Sequence, residues 1–301
     1  DEGTVCVVWS DGAESEYDAA WLRRFDHGAG ARGGRRARNE VPAGPRVGRG
    51  GAPASFEYDA AVGGGGTDAA LLDLYRAVFT DGAALLTGVP PPRPGLHPVR
   101  VAAGALSPGG TSHAALYGDL FEVRSRPSAH NVAYTDLPLA PHQDLAYYAS
   151  PPGLQLLHCV TFGDRVEGGE STLVDGMAAA AALRASDPDR FRTLTEAPAT
   201  FVKQREGASM TYLRPHIDVL SGPAGDGERE IVGVHWAPPF EGPLALPRGE
   251  MDRYYDAYGA FEMMVDDALP AGASSSAYAE EEVRRYREYA RRHTWEKRLE
   301  E

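Results

Sequence analysis

The sequence predicts a mixed α+β protein in which a double-stranded β-helix, or jelly roll, is decorated by helices. Short strand-like runs broken by turn residues occupy residues 115–176 and 197–240. Helical patterns lie before and after them, over 68–79, 251–264 and 279–292. The regular alternation of strand and helix that an open parallel sheet would need is missing, and this favours the jelly roll.

The size and charge of the chain exclude some classes of protein. Its 301 residues suit one large domain, or one domain with a small appendage. Hydrophobic residues make up 43% of the chain, enough for a sizeable core. The net charge of −13 argues against a protein that binds a phosphate backbone, so we expect no nucleic-acid partner. No run of 18 uncharged apolar residues occurs, so we expect no membrane span.

The first residues have the pattern of a β-hairpin followed by a linker. Val5, Val7 and Trp9 alternate with their neighbours, and Asp11 and Gly12 then supply a turn. Residues 27–54 are rich in Gly, Arg, Ala and Pro, which is typical of a loop or disordered linker. A nucleic-acid-binding arm is the alternative interpretation of its arginines.

The next segment predicts a helix and then a strand. Thr67 can cap a helix over 68–79. The apolar face of that helix consists of Leu71, Leu72, Tyr75, Val78 and Phe79. A strand is expected over 83–89, because the prolines at 90–92 would end it.

The middle of the chain predicts several short strands around one helix. The apolar run LQLLHCVTF at 154–162 is typical of a buried strand, and STLVD at 171–175 predicts another. A helix is expected over 178–184. The run IVGVHW at 231–236 predicts a strand that the prolines at 238–239 stop.

A candidate metal pair, His142 and Asp144, lies within the sequence PHQDLAYY. On a strand, residues i and i+2 point to the same face, so both side chains could reach one ion. An imidazole nitrogen and a carboxylate oxygen suit Fe(II), Mn(II) or Zn(II), and two histidines with one carboxylate hold non-heme Fe(II) in oxygenases. The spacing alone is also compatible with an exposed pair at a strand end.

Three motifs in order carry a resemblance to a known family. They are NVAYT at 131–135, HQD at 142–144 followed by PGLQLLHC, and GGESTLVDG at 168–176. The chain resembles the γ-butyrobetaine and trimethyllysine dioxygenases, which belong to the taurine-dioxygenase-like group of Fe(II)/2-oxoglutarate oxygenases. The tract DLAYYASPPG is closer to the butyrobetaine type. The resemblance implies hydroxylation of γ-butyrobetaine to carnitine, with trimethyllysine hydroxylation as the alternative.

The resemblance also implies residues for the metal and the cosubstrate. His142 and Asp144 match the first two iron ligands and are the expected catalytic residues. Leu157, Ser171 and Asn131 match positions near the bound 2-oxoglutarate. Ser171 and Asn131 would also make sense as plain turn residues.

Three aromatic residues match the walls of the family's substrate cage. They are Tyr134 in NVAYT, with Tyr117 and Phe121 in LYGDLFEV. A trimethylammonium group cannot donate a hydrogen bond from its head, so it is held by aromatic faces through the ring quadrupole. Phe121 stands where butyrobetaine hydroxylases usually carry tryptophan. The alternative is that these three residues are core aromatics.

The implied cofactors and partners follow from the same resemblance. They are Fe(II), 2-oxoglutarate as cosubstrate, ascorbate as reductant, O₂ and a small quaternary amine. A homodimer is compatible with the resemblance. We expect a cytoplasmic or mitochondrial location, and no targeting segment is visible in this chain.

The resemblance further implies a chain truncated at both ends. Residues 1–26 look like part of a small N-terminal β domain, and 55–301 like an oxygenase domain without its last strands. The family's third iron ligand and its 2-oxoglutarate arginine have no matching motif. His293 lies in a charged helical pattern and is expected at the surface. A non-catalytic jelly-roll protein is therefore the competing hypothesis.

Overall fold

The structure is a computed structural model of the 301-residue chain. It describes residues 3–26, 28, 53–107, 117–124, 132–135, 137–161, 163, 166–205, 207–220, 230–266 and 280–297. The chain divides into two compact units, Asp1–Ala43 and Gly44–Glu301, and each is described by itself.

The first unit contains the expected β-hairpin. Strand β1 (Thr4–Val8) pairs antiparallel with β2 (Glu14–Asp18). The turn between them uses Gly12 at φ +86°, a left-handed conformation that glycine adopts without strain. Helix α1 (Ala19–Arg24) follows directly, and the carboxylate of Asp18 caps it by accepting from the Trp21 N–H at 2.7 Å.

The second unit opens with two parallel strands joined through helices. Its first elements are β3 (Ala54–Glu57), α2 (Tyr58–Ala61), α3 (Asp68–Asp81), β4 (Ala84–Thr87) and α4 (Pro98–Leu106). Strands β3 and β4 pair in parallel. The Thr67 hydroxyl accepts from the Ala70 N–H at 3.2 Å, so the predicted cap and helix are confirmed. Tyr58, Leu74 and Ala102 form the buried core of this part.

The rest of the second unit alternates helix pairs with strand pairs. Its elements are β5 (Ser171–Val174), α5 (Gly176–Ser186), α6 (Pro188–Glu196), β6 (Ala199–Arg205), β7 (Ala208–Arg214), β8 (Ile217–Val219), β9 (Ile231–Val234), α7 (Met251–Val265), α8 (Glu280–His293) and β10 (Thr294–Lys297). Strand pairs β6–β7, β8–β9 and β5–β10 are all antiparallel.

A core lies between the helices and the β8–β9 pair. Leu183 of α5, Leu194 of α6, Ile217 of β8 and Phe261 of α7 are fully buried in one cluster. A second buried cluster joins the segment around Tyr147 to strand β6 and helix α7. This second cluster positions the candidate site.

The mixed helix and strand content agrees with the prediction, but the jelly roll is not formed by the described residues. Their strands pair as five two-stranded sheets, and none of these sheets closes into a barrel. The jelly-roll arrangement therefore stays a prediction. Only residues 28, 53 and 54 of the predicted 27–54 linker are described.

The predicted strand at 154–162 is wrong over its described part, 154–161, which has no strand hydrogen bonding. Leu154, Leu157 and Val160 of this run are exposed. A strand is stabilised by a neighbour that pairs with its N–H and C=O groups, and this segment has no such pairing among the described residues. None of the described helices is long and apolar enough to cross a membrane.

Candidate active site

The predicted metal pair lies in a turn and not on a strand. Residues 142 and 143 have no regular structure and 144–147 form a turn, so the strand on which the prediction was based is wrong. The two side chains nevertheless converge, with His142 Nε2 3.9 Å from Asp144 Oδ1. Ligand atoms at right angles on one ion would be about 3 Å apart. The two atoms would therefore move closer together when an ion is bound.

Neighbouring hydrogen bonds orient both side chains for binding an ion. The ring of His142 donates its Nδ1–H to the Ala140 carbonyl at 2.8 Å, because a carbonyl oxygen only accepts. Nε2 therefore carries the lone pair on the side of Asp144. The Gln155 amide donates to Asp144 Oδ2 at 2.7 Å and leaves Oδ1 directed at His142. Outer contacts of this kind are typical of metal-binding histidines and carboxylates.

The backbone of the pair is fastened to the end of strand β9. The Gln143 N–H donates to the Trp236 carbonyl at 2.7 Å, and the Trp236 N–H donates to Gln143 Oε1 at 3.0 Å. The next residue after the pair, Leu145, has φ +63°, the one positive φ of a non-glycine residue in the described part of the chain. The fold thus holds this turn in a conformation that a leucine rarely adopts.

The metal site is incomplete within the described residues. Among them, no group of three His, Cys, Asp or Glu side chains is arranged to hold an ion. His293 is the last residue of α8, and only its backbone is described. The described residues therefore fit two positions of an Fe(II) coordination sphere and leave the others to ligands outside them.

The three predicted cage residues are brought together. The Tyr117 and Phe121 ring centroids lie 5.0 Å apart at 68°, and those of Phe121 and Tyr134 lie 5.5 Å apart at 28°. We call these three residues the aromatic cluster. Because Phe121 and Tyr134 stack on each other, a cation cannot lie between their faces in this arrangement. Phe121 is 41% exposed, and its ring would have to turn away from Tyr134 to open that space.

Two further aromatic residues connect the aromatic cluster to the metal pair. The Tyr117 and Tyr147 hydroxyl oxygens are 3.4 Å apart, and the Tyr147 ring lies 5.3 Å from that of Phe240. Phe240 in turn meets the His142 ring edge to face at 6.3 Å. Burial is the main cause that raises the pKa of Tyr147, so its phenol stays protonated.

Sequence reasoning missed Tyr147 and Phe240. Tyr147 lies three residues after Asp144, in the same motif, and that closeness is the signal that could have identified it. Phe240 follows the proline pair at 238–239, and nothing in its local pattern indicates a contact with residue 142. Lys203 of β6 approaches the same ring, with its Nζ 5.0 Å from the Phe240 centroid.

The structure describes two of the three residues that were predicted to lie near 2-oxoglutarate. Leu157 is 67% exposed, and Ser171 begins strand β5 opposite Lys297. The hydrogen bond from Gln155 to Asp144 ties the segment of Leu157 to the metal pair. Asn131 lies outside the described residues. The assignment of these three residues stays a prediction.

His158 is the histidine of QLLHC, and it is partly buried. Its buried Nδ1 has no hydrogen-bond partner among the described residues. Its ring packs edge-on against His97 at 6.1 Å. Burial is the main cause that lowers the pKa of His158, and the nearby His97 acts in the same direction.

Comparisons with known proteins identify relatives of the chain. Residues 64–272 match the family model "Taurine catabolism dioxygenase TauD, TfdA family". The chain is 31% identical over 264 residues to a γ-butyrobetaine dioxygenase of Pseudomonas sp. (strain AK-1), covering 88% of this chain and 64% of the relative. It is 40% identical over 86 residues to the human γ-butyrobetaine dioxygenase, covering 29% of this chain and 21% of that relative.

A human mitochondrial trimethyllysine dioxygenase is 35% identical over 83 residues, covering 28% of this chain and 19% of the relative. In all three comparisons the match spans less than two thirds of the relative's own length.

Proposed function

Because the chain belongs to the taurine catabolism dioxygenase TauD, TfdA family, we propose that it hydroxylates a small trimethylammonium compound with Fe(II) and 2-oxoglutarate. γ-Butyrobetaine, which would become carnitine, is the first candidate substrate, since two of the relatives are named γ-butyrobetaine dioxygenase. The balanced reaction consumes the substrate, O₂ and 2-oxoglutarate, and it yields the hydroxylated product, succinate and CO₂. Ascorbate would serve as an auxiliary reductant.

The metal would be held in part by His142 and Asp144. A bound Fe(II) would supply the redox chemistry that couples decarboxylation of 2-oxoglutarate to hydroxylation of an unactivated carbon. The protein's own residues supply orientation: Ala140 fixes the tautomer of His142, and Gln155 fixes the carboxylate of Asp144. Leu157, Ser171 and Asn131 stay our proposed neighbours of 2-oxoglutarate.

The aromatic connection between the two parts of the site carries the proposal. The aromatic cluster offers ring faces of the kind that attract a quaternary ammonium. Tyr147 and Phe240 join it to His142 through ring contacts of 5.3 and 6.3 Å and a hydroxyl contact of 3.4 Å. A small substrate held by the cluster would thus have its chain directed toward the metal pair.

A coupled assay tests this function. The protein is incubated with γ-butyrobetaine, Fe(II), 2-oxoglutarate and ascorbate, and succinate and carnitine are measured together. We expect both products in equal amounts. Succinate without carnitine would reject γ-butyrobetaine as the substrate. Absence of turnover with both γ-butyrobetaine and trimethyllysine would reject the proposed hydroxylation by this chain.

Trimethyllysine hydroxylation is the alternative within the same reaction class. It is supported by the similarity to the trimethyllysine dioxygenases, and trimethyllysine has the same quaternary head group. The same assay with trimethyllysine distinguishes the two substrates, since the preferred one gives the higher kcat/KM.

A non-catalytic protein that binds quaternary amines is the second candidate. It is favoured by one observation, namely that the described residues contain no third side chain arranged to bind the ion. Calorimetry with γ-butyrobetaine separates the two candidates: binding without turnover in the coupled assay would support this second function.

The cellular setting is also a proposal. We propose a cytoplasmic or mitochondrial location, and the description mitochondrial of several trimethyllysine relatives supports the second. We further propose a homodimer as the assembly, and light scattering of the purified chain tests it.

A further inference from the structure

We propose that Arg214 is a positioning residue that locks residues 142–149, here called the metal-pair segment, in the conformation that aims His142 and Asp144 at one ion. The role of Arg214 in metal binding rests on the proposed function. Its effect on the conformation of residues 142–149 does not, because it depends only on contacts within the chain.

The metal-pair segment needs to be held from outside. It has no strand or helix hydrogen bonding, and its Leu145 is left-handed at φ +63°. Such a conformation costs about 1–3 kcal/mol and persists where the surroundings enforce it. The Gln143–Trp236 hydrogen bonds fasten one end of the segment, beside His142. Burial of Ala146 and Tyr147 in the second core cluster holds the middle of the segment, and contacts at Tyr148 and Ala149 would hold its other end.

Arg214 supplies the contacts at that other end. It is the last residue of β7, and it is 8% exposed. Its Nη2 donates to the carbonyl oxygens of Tyr148 and Ala149, the latter at 3.1 Å. One guanidinium nitrogen thus donates to two successive carbonyls of the segment.

A neighbouring pair of side chains orients the guanidinium. His235 lies with Nε2 2.7 Å from Asp218 Oδ2, so Nε2–H donates to the carboxylate. Arg214 Nη1 lies 3.3 Å from Nδ1 and 3.4 Å from Nε2 of His235, so it faces the ring between its two nitrogens. The Tyr212 ring stacks under the guanidinium, with its centroid 4.4 Å from Cζ. The planar group is therefore fixed in orientation as well as position.

Lysine cannot reproduce this arrangement. A guanidinium presents several donors in a rigid fork, whereas an ammonium is a single nitrogen on a flexible stem. A lysine in place of Arg214 could not donate to the two carbonyls and also contact the His235 ring from one fixed plane. The variant Arg214→Lys therefore keeps the charge and removes the lock.

Hydrogen exchange of the full chain tests the lock without any metal. The Tyr148 N–H donates to the Leu145 carbonyl at 2.9 Å and reports on the turn. In Arg214→Lys we expect this amide and its neighbours in 143–150 to exchange about ten- to a hundredfold faster, because hydrogen bonds to charged groups contribute about 1.5–3 kcal/mol. Arg190→Lys is the matched control, since Arg190 is a half-buried arginine that binds helix residues Asp256 and Glu282.

Two exchange results would overturn the proposal. One is an unchanged rate in 143–150 for Arg214→Lys. The other is an equal acceleration throughout the chain, which would make Arg214 a general stabilising residue. A local increase that Arg190→Lys does not reproduce supports it.

Mn(II) affinity, measured from the EPR signal of the free ion, then tests whether Arg214 orients the metal pair. We expect Arg214→Lys to bind Mn(II) about 10- to 100-fold more weakly than the unmodified chain, as for other residues that orient ligands. Arg190→Lys should bind it normally. Absence of Mn(II) binding by the unmodified chain would reject the proposed metal pair. The hydrogen-exchange result would in that case still show whether Arg214 holds residues 142–149 in place. Equal Mn(II) affinity of both variants would reject the positioning role.

Discussion

At His142, one hydrogen bond decides which ring nitrogen is free to bind a metal. Ala140 accepts from Nδ1, so Nε2 faces Asp144. The one-residue spacing of the pair predicted this convergence, but the reason given for it was wrong. The two side chains meet across a turn, where a left-handed Leu145 redirects the backbone. Sequence patterns do not reveal such a conformation for leucine, because leucine seldom adopts it.

The first residue-level prediction concerns the metal pair. His142→Ala should abolish specific Mn(II) binding, because one carboxylate alone holds the ion weakly. His158→Ala is the matched control, since His158 packs against His97 and should leave the affinity unchanged. EPR titration measures both variants. Retained affinity in His142→Ala would remove this residue from the ligand set.

The second residue-level prediction concerns the aromatic cluster. Phe121→Trp should tighten γ-butyrobetaine binding by up to several-fold, because tryptophan is the best cation–π partner and the whole contact at an exposed site is worth about 0.5–1 kcal/mol. Phe79→Trp on α3, equally an exposed phenylalanine, is the control. Calorimetry gives both dissociation constants. An equal affinity in the two variants would argue that Phe121 does not touch the cation.

Other residues of the site could not be predicted from the sequence. Gln155, Phe240 and Arg214 act through contacts with residues distant in the chain. Their residue types are common, and their local patterns indicate only loop or strand. The cage residues were predictable because a family motif contains them, not because of their spacing.

At the scale of elements, the helices were predicted better than the strands. Helix α3 has a capping Thr67, a periodic apolar face and a left-handed Gly82 at its end, so local sequence defines it fully. A strand depends on a partner elsewhere in the chain. The run at 154–161 is apolar enough for a strand, yet it pairs with nothing among the described residues.

The prediction at this scale concerns the junction of three helices. Arg190 of α6 binds Asp256 of α7 at 2.8 Å and Glu282 of α8 at 2.9 Å, and it is 15% exposed. Arg190→Gln should lower the free energy of unfolding by about 2–3 kcal/mol, because it removes the cation that pairs with three partly buried carboxylates, those of Asp187, Asp256 and Glu282. This loss is reduced by the partial exposure of the partners.

Arg192→Gln on the same helix is the control. Arg192 pairs with Asp189 at the surface, so its loss should cost under about 0.5 kcal/mol. Urea unfolding measures both. Equal losses in the two variants would show that Arg190 does not join the helices.

At the scale of the whole molecule, two buried groups make the free energy of unfolding depend on pH in opposite directions. Burial lowers the pKa of His216 from 6.5 to about 4, and burial raises the pKa of Glu241 from 4.5 to about 7. Between pH 4.5 and 6.5 the unfolded chain binds more protons at residue 216, so that group makes stability rise with pH. In the same window the folded chain binds more protons at Glu241, so that group makes stability fall.

Single substitutions at these two residues should therefore change the pH dependence of the free energy of unfolding in opposite directions. Relative to the unmodified chain, the stability of His216→Gln should fall as pH rises from about 4.5 to 6.5, and that of Glu241→Gln should rise, each by up to about 1.4 kcal/mol per pH unit. Urea unfolding at several pH values measures the differences. Slopes of the same sign in both variants would contradict this assignment.

The central claim is that one site holds a trimethylammonium group beside the His142–Asp144 pair. Paramagnetic relaxation measures this most directly, since bound Mn(II) broadens nearby proton signals steeply with distance. The N-methyl signal of γ-butyrobetaine should broaden with Mn(II) and the unmodified chain, and it should stay sharp with His142→Ala or with Zn(II) in place of Mn(II). Binding of both ligands to the unmodified chain with a sharp N-methyl signal would contradict the claim.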